Sequence, residues 1–139
     1  MPEITFTRQQ AKYVAPQDLF DAVLQTGGIT IDQNAYTAGL DRVYNVEGLN
    51  NMHVEIKNTG GANGLTFKIE KARKQVEDVS TLVDADFDKD ILADTNVAFG
   101  ADSIQDIVDI TPESIAIRIR VKRQAAGLDT TLAGFVSVN

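Results

Sequence analysis

The chain has 139 residues, a formal net charge of −7, a pI near 4.6 and 43% hydrophobic residues, with no cysteine. That length is most simply one domain with its own core. The composition excludes a disordered chain, a disulfide framework and thiol catalysis, and the acidic balance disfavours general nucleic-acid binding, which depends on neutralising phosphates.

The amino-terminal Met1-Pro2-Glu3-Ile4-Thr5-Phe6-Thr7-Arg8 lacks the basic and apolar regions of a secretory signal. No stretch approaches the ~20 apolar residues that span a bilayer. Synthesis in the cytoplasm and no membrane association are therefore expected. Ile4-Thr5-Phe6-Thr7 alternates and leads into polar Arg8-Gln9-Gln10. It reads either as an edge strand followed by a loop or as an arm that packs on a neighbouring subunit through Ile4, Phe6 and Arg8. Residues 15–28 favour a short helix over a strand: Pro16 suits the first helical position, Asp18 the positive amino end and Gly27 the stop. Residues 1–28 are thus an arm or short helix ahead of a domain spanning 29–139.

Ile29-Thr30-Ile31-Asp32 and Arg42-Val43-Tyr44-Asn45-Val46 are short strands. The organising stretch is residues 51–70. Met52, Val54 and Ile56 alternate with His53, Glu55 and Lys57; Leu65, Phe67 and Ile69 alternate with Thr66, Lys68 and Glu70. Period-two alternation places one set in a core and the other in water. Between them, Asn58-Thr59-Gly60-Gly61-Ala62-Asn63-Gly64 holds residues that tolerate positive φ, and a hairpin turn is expected. Residues 71–90 are expected to be an irregular connection between two sheets, with a strand through Val79-Ser80-Thr81-Leu82-Val83. Further strands are expected at 91–99, 104–110, 114–123 and 130–138. In the third of these, Ile115, Ile117, Ile119 and Val121 face one way, and Arg118, Arg120 and Lys122 the other. Strands at this spacing with turn residues between them predict an all-β, antiparallel sandwich, jelly-roll or Ig-like.

Three groups of residues invite chemistry. Asp84, Asp86, Asp88 and Asp90 alternate and are the calcium candidates. The helix-loop-helix calcium signature fails, because its glycine position is Lys89 and its terminal glutamate position is Thr95. A loop in water is the simpler reading. His53 is the only histidine; it lacks partners for a zinc site and reads as a surface residue beside Glu55. The stripe Arg118, Arg120, Lys122 could meet phosphate, an acidic glycan or an acidic patch on a partner, but pairing with carboxylates on neighbouring strands is the favoured reading. No catalytic, cofactor or metal constellation is recognised.

Residues 53–69, with their strand, Asn-Thr-Gly, strand order, resemble a signature of Ig-like and jelly-roll sandwiches that is common in small phage virion proteins, including capsid decoration and head-associated proteins. Residues 92–121 continue the likeness, which covers roughly 29–139; bacterial surface adhesion modules share the Asn-Thr-Gly feature. The resemblance implies a non-enzymatic virion protein without a cofactor, bound to the major capsid or other virion proteins. It also implies a homo-oligomer, with a trimer as one form. The alternative is an Ig-like or carbohydrate-binding module of a larger surface protein, monomeric and calcium-dependent.

Overall fold

The computed structural model describes residues 3–5, 14–18, 29–46, 51–72, 81–100, 103–110 and 114–138, and these form two packed β-sheets without an α-helix. The strands are β1 (Glu3–Thr5), β2 (Val14–Asp18), β3 (Ile29–Ile31), β4 (Arg42–Asn45), β5 (Met52–Asn58), β6 (Leu65–Lys71), β7 (Lys89–Val97), β8 (Ser103–Ile110), β9 (Ala116–Arg123) and β10 (Thr130–Val138). One sheet runs β1-β4-β9-β6-β7. The other runs β2-β10-β5-β8, with β3 also beside β10. All pairings are antiparallel except that β1 lies parallel to β4.

The order of pairing reveals how the chain winds. β6 pairs with β7, β5 with β8, β4 with β9 and β3 with β10. These are nested antiparallel pairs, a single long ribbon with its tip between β6 and β7. Successive strands from β3 to β7 alternate between the sheets until the β6–β7 tip, and alternate again from β7 to β10. Eight strands so wound make a jelly roll, which decides between the two sandwich types.

The interior follows the alternation. Tyr44, Leu65, Phe67, Ile69, Val97, Ile117, Ile119 and Val121 from one sheet meet Ile31, Met52, Val54, Ile56 and Leu132 from the other, each at most 4% exposed. Fully burying a side chain of this size contributes about 1.5–3 kcal/mol, whereas an exposed ion pair contributes about 0–1 kcal/mol. Apolar contact between the layers therefore dominates the stability.

Four expectations need correction. First, β5 and β6 do not form a hairpin: they lie in different sheets, and residues 59–64 arch between them. Strand composition sets which face is buried but not which neighbour is paired, and Asn58 fixes the arch. Its side chain donates to Asn63 O (3.0 Å) and Val97 O (3.3 Å) and accepts from Gly60 N (2.9 Å) and Thr130 Oγ1 (2.6 Å). Second, residues 14–18 are strand β2 rather than the start of a helix. Pro16 lies where the β2–β10 register shifts, between Gln17↔Val136 and Val14↔Val138. A residue without an N–H is tolerated at such an irregular edge. Residues 19–28 lie outside the described residues.

Third, the 72–88 connection links neighbouring strands of the same sheet instead of crossing between sheets. Residues 81–83 are not strand, and the segment continues through a 3-10 turn at Asp84–Asp86; residues 79–80 lie outside the described residues. Fourth, the outer face of the β4-β9-β6-β7 layer is not simply solvated. Leu82 and Phe87 of the connection pack there with Val43, Ala72, Ile115 and Ala116 in a second apolar cluster. That cover buries Glu70 and Arg118, and Thr66 is also buried although the alternation assigned it to water.

Candidate functional site

The outer face of this sheet carries the polar side chains that the alternation directs away from the core. Register aligns them in rows: Arg118 opposite Glu70, Arg120 opposite Lys68, and Lys122 opposite Thr66, which in turn lies opposite Asn96. The rows differ in what covers them.

The first row lies under the connection. Arg118 is 1% exposed, and its Nε donates to Glu70 Oε1 at 2.9 Å while Nη2 lies 2.8 Å from the same oxygen. Its Nη1 pairs with Asp84 and lies 3.8 Å from Asp41 Oδ2. The guanidinium also sits 4.7 Å from the Phe87 ring centroid, a favourable cation–π arrangement. The hydrogen bond from Arg118 holds the Asp84 carboxyl below its usual range. Burial pushes Asp41 up, against the hydrogen bond that Arg120 Nε donates to its Oδ1 at 2.9 Å. Arg118 is thus a buried tie between β9, β6 and the connection. The expected pairing with carboxylates is present for Arg118 and Arg120 but, among the described residues, not for Lys122, and the expected solvent exposure of Arg118 is absent.

The middle row lies under Tyr36, from the segment after β3. Lys68 Nζ, Arg120 Cζ and Lys122 Nζ lie 5.1, 5.3 and 4.6 Å from its ring centroid, and its hydroxyl donates to Asp94 Oδ1 at 2.6 Å. Burial, reinforced by that carboxylate, raises the phenol pKa far above its ordinary value, so Tyr36 stays a neutral donor. Nothing in the sequence around Tyr36 signals this placement; only the register of β6, β7 and β9 brings its contacts together.

The last row opens into a groove of about 460 Å³ lined by Asn34, Thr66, Asp94, Asn96, Lys122, Arg123 and Gln124. Thr66 Oγ1 donates to Asn96 Oδ1 at 2.7 Å, and Arg123 Nη1 to Asp129 Oδ1 at 2.6 Å. Of the stripe, only Lys122 lines this groove.

The calcium candidates point to separate tasks. Asp84 pairs with Arg118, and Asp86 Oδ2 accepts from Val83 N at 2.8 Å. Asp88 and Asp90 are exposed. Among the described residues, no group of three or more His, Cys, Asp or Glu side chains is placed to hold a metal ion. His53 is half-buried and has interaction partners. Ile4 lies in β1 opposite Tyr44; Phe6 and Arg8 lie outside the described residues. Among the described residues, no helix is long and apolar enough to cross a membrane. No protein-family model and no curated protein matches the chain.

Proposed function

We propose that the chain is a non-enzymatic structural protein of a virion, a decoration or minor capsid component that binds the shell and stabilises it. The observation that carries this reading is the nested-ribbon jelly roll, an architecture used by viral capsid proteins. Fold alone does not assign function, so the reading also rests on the resemblance of residues 53–69 and 92–121 to small phage virion proteins and on what the surface presents. Arg118 and Arg120, which could serve as reactive or ligand-binding cations, are engaged in internal pairs. At one end of the sandwich, Phe99 and Leu128 are 51% and 54% exposed. Both sit on connections fastened to the β5–β6 arch, through Gly100 N to Gly60 O and through Asn63 Nδ2 to Leu128 O. Exposed apolar side chains on anchored loops suit contact with another protein, because little ordering entropy is lost on binding.

The contacts would add buried area to the shell and so stabilise it by mass action, with the protein itself a closed homo-oligomer. The test is quantitative mass spectrometry of purified virions from the source, alongside light scattering of the isolated protein. A fixed copy number per particle and a closed oligomer are expected. Absence from particles would overturn the proposal.

A further inference from the structure

We infer that the groove beside Lys122 is a binding site for a saccharide bearing a carboxylate, such as a uronic-acid oligomer. This goes beyond the virion reading and does not depend on it.

The groove has the size of a small-ligand site, for which about 300–1,000 Å³ is usual. Every residue lining it is polar; Gln124 follows β9, Asn34 follows β3, and the others lie on the adjacent strands β9, β6 and β7, so the sheet fixes most of their spacing. The useful feature is which atoms are left over. Lys122 Nζ forms no ion pair among the described residues; its contact is with the Tyr36 ring. Arg123 is already engaged, its Nη1 by Asp129 and its Nη2 by Asn34 Oδ1 at 3.5 Å, and its Nε is buried out of a ligand's reach. Asn96 uses its oxygen to accept from Thr66, and Gln124 uses its amide nitrogen to donate to Leu65 O. That leaves the Asn96 amide N–H groups, the Gln124 oxygen and the second oxygen of Asp94 for a ligand. The accessible unmatched set is two donor groups, one of them the Lys122 ammonium, and two acceptors.

Chemistry then selects the ligand class. A mixture of donors and acceptors on side chains at fixed spacing matches hydroxyl groups, each of which can donate and accept. No lining residue is aromatic, so ring stacking cannot supply the affinity. Neutral hydrogen bonds to a sugar largely replace bonds to water and give little net gain. Charge-assisted ones are roughly twice as strong, so the ligand needs a negative group for Lys122. Asp94 stands in the same groove and would repel a dense anion, which argues against phosphate and for singly charged carboxylates spaced apart by hydroxyl-bearing rings.

The test is calorimetric titration of the full chain with trisaccharides of galacturonate, glucuronate and mannuronate, with maltotriose and inorganic phosphate as comparisons. At least one uronate should bind, maltotriose should bind at least about tenfold more weakly, and Lys122→Met should cost at least about tenfold in uronate affinity. Lys122 is only partly buried and loses one contact with the Tyr36 ring, so the variant should still fold and melt within a few degrees of wild type. Asn96→Ala should weaken binding as well, and amide shifts on titration should map to β6, β7 and β9. No uronate binding, or equal affinity for maltotriose or phosphate, would overturn the inference. Because the readout is binding by the isolated protein, its failure is distinct from absence of the chain from virions.

Discussion

Arg118 and Glu70 face each other across the β6–β9 ladder, and the Nε of one donates to the carboxylate of the other at 2.9 Å with both side chains buried. The pair lies on the sheet face away from the main core, so its burial comes from the Leu82 and Phe87 cover. Removing one partner of such a pair costs more than the pair contributes, because the remaining charge stays buried.

Arg118→Ala should therefore destabilise the fold by about 3–5 kcal/mol, read from urea unfolding at constant slope. Asp84→Asn removes a contact to the same guanidinium, but the Asp84 side chain is 74% exposed, and a cost under about 1 kcal/mol is expected. Equal losses for the two variants would show that burial does not set the energetics of this cluster.

Asp84 and Asp41 should shape the acid limb of stability in opposite senses. The folded pKa of Asp84 lies below its usual 3.8, so its contribution is present above that value and is lost as pH falls through the folded pKa. The folded pKa of Asp41 lies above 3.8; its contribution is full below that value and is lost as pH rises through the folded pKa. Urea midpoints measured from about pH 2 to 6 should fall less steeply below pH 3.8 for Asp84→Asn than for wild type. An unchanged limb in that variant would contradict the assignment.

Asn58→Ala should cost at least about 1–3 kcal/mol, since it strands buried partners on both sheets. Asn58→Asp keeps the shape and the two accepted bonds but loses both donated ones and buries a charge, so it should not rescue. Thr130→Val, which removes one donor to the same oxygen, should cost less than Asn58→Ala in the same unfolding assay.

Face assignment was legible in the sequence; pairing was not. The alternations of β5, β6 and β9 correctly separate the main core from the opposite faces, and the strands at 29–31, 42–45 and 130–138 follow from local composition. In sequence Asn58, Gly60 and Gly64 suit a hairpin reversal, whereas in the β5–β6 arch Gly60 gives room and Asn58 gives hydrogen bonds. A Cβ on Gly60 would lie 2.4 Å from Thr130 Oγ1, a long-range neighbour that local reading cannot supply. The same limit hid the groove: Lys122, Thr66 and Asn96 are far apart in the chain and meet only through the register of three strands.

Two glycines should respond in opposite ways to alanine. At Gly134, in β10, a Cβ would fall 2.3 Å from the Glu55 carbonyl oxygen on β5, and a backbone atom cannot swing aside. Gly134→Ala should cost about 1–3 kcal/mol, the usual penalty of overpacking. At Gly61 a Cβ would meet nothing within 4 Å, and Gly61→Ala should be neutral or raise stability by up to about 1 kcal/mol. Thermal melts of the two variants check both.

β10 pairs with β5 along one side and with β3 and β2, end to end, along the other. Residues 130–138 are therefore the seam to which both early and middle portions of the chain are sewn. On the ribosome, β2, β3 and β5 are made well before this seam and have no permanent partner there until it leaves the exit tunnel. Their backbone edges on that side stay open until residues 130–138 are made, the condition under which strands pair with the wrong chain. Completion of this sheet waits for residues 130–138, so conditions that delay elongation just before residue 130 should lower the yield of soluble protein without altering the finished molecule.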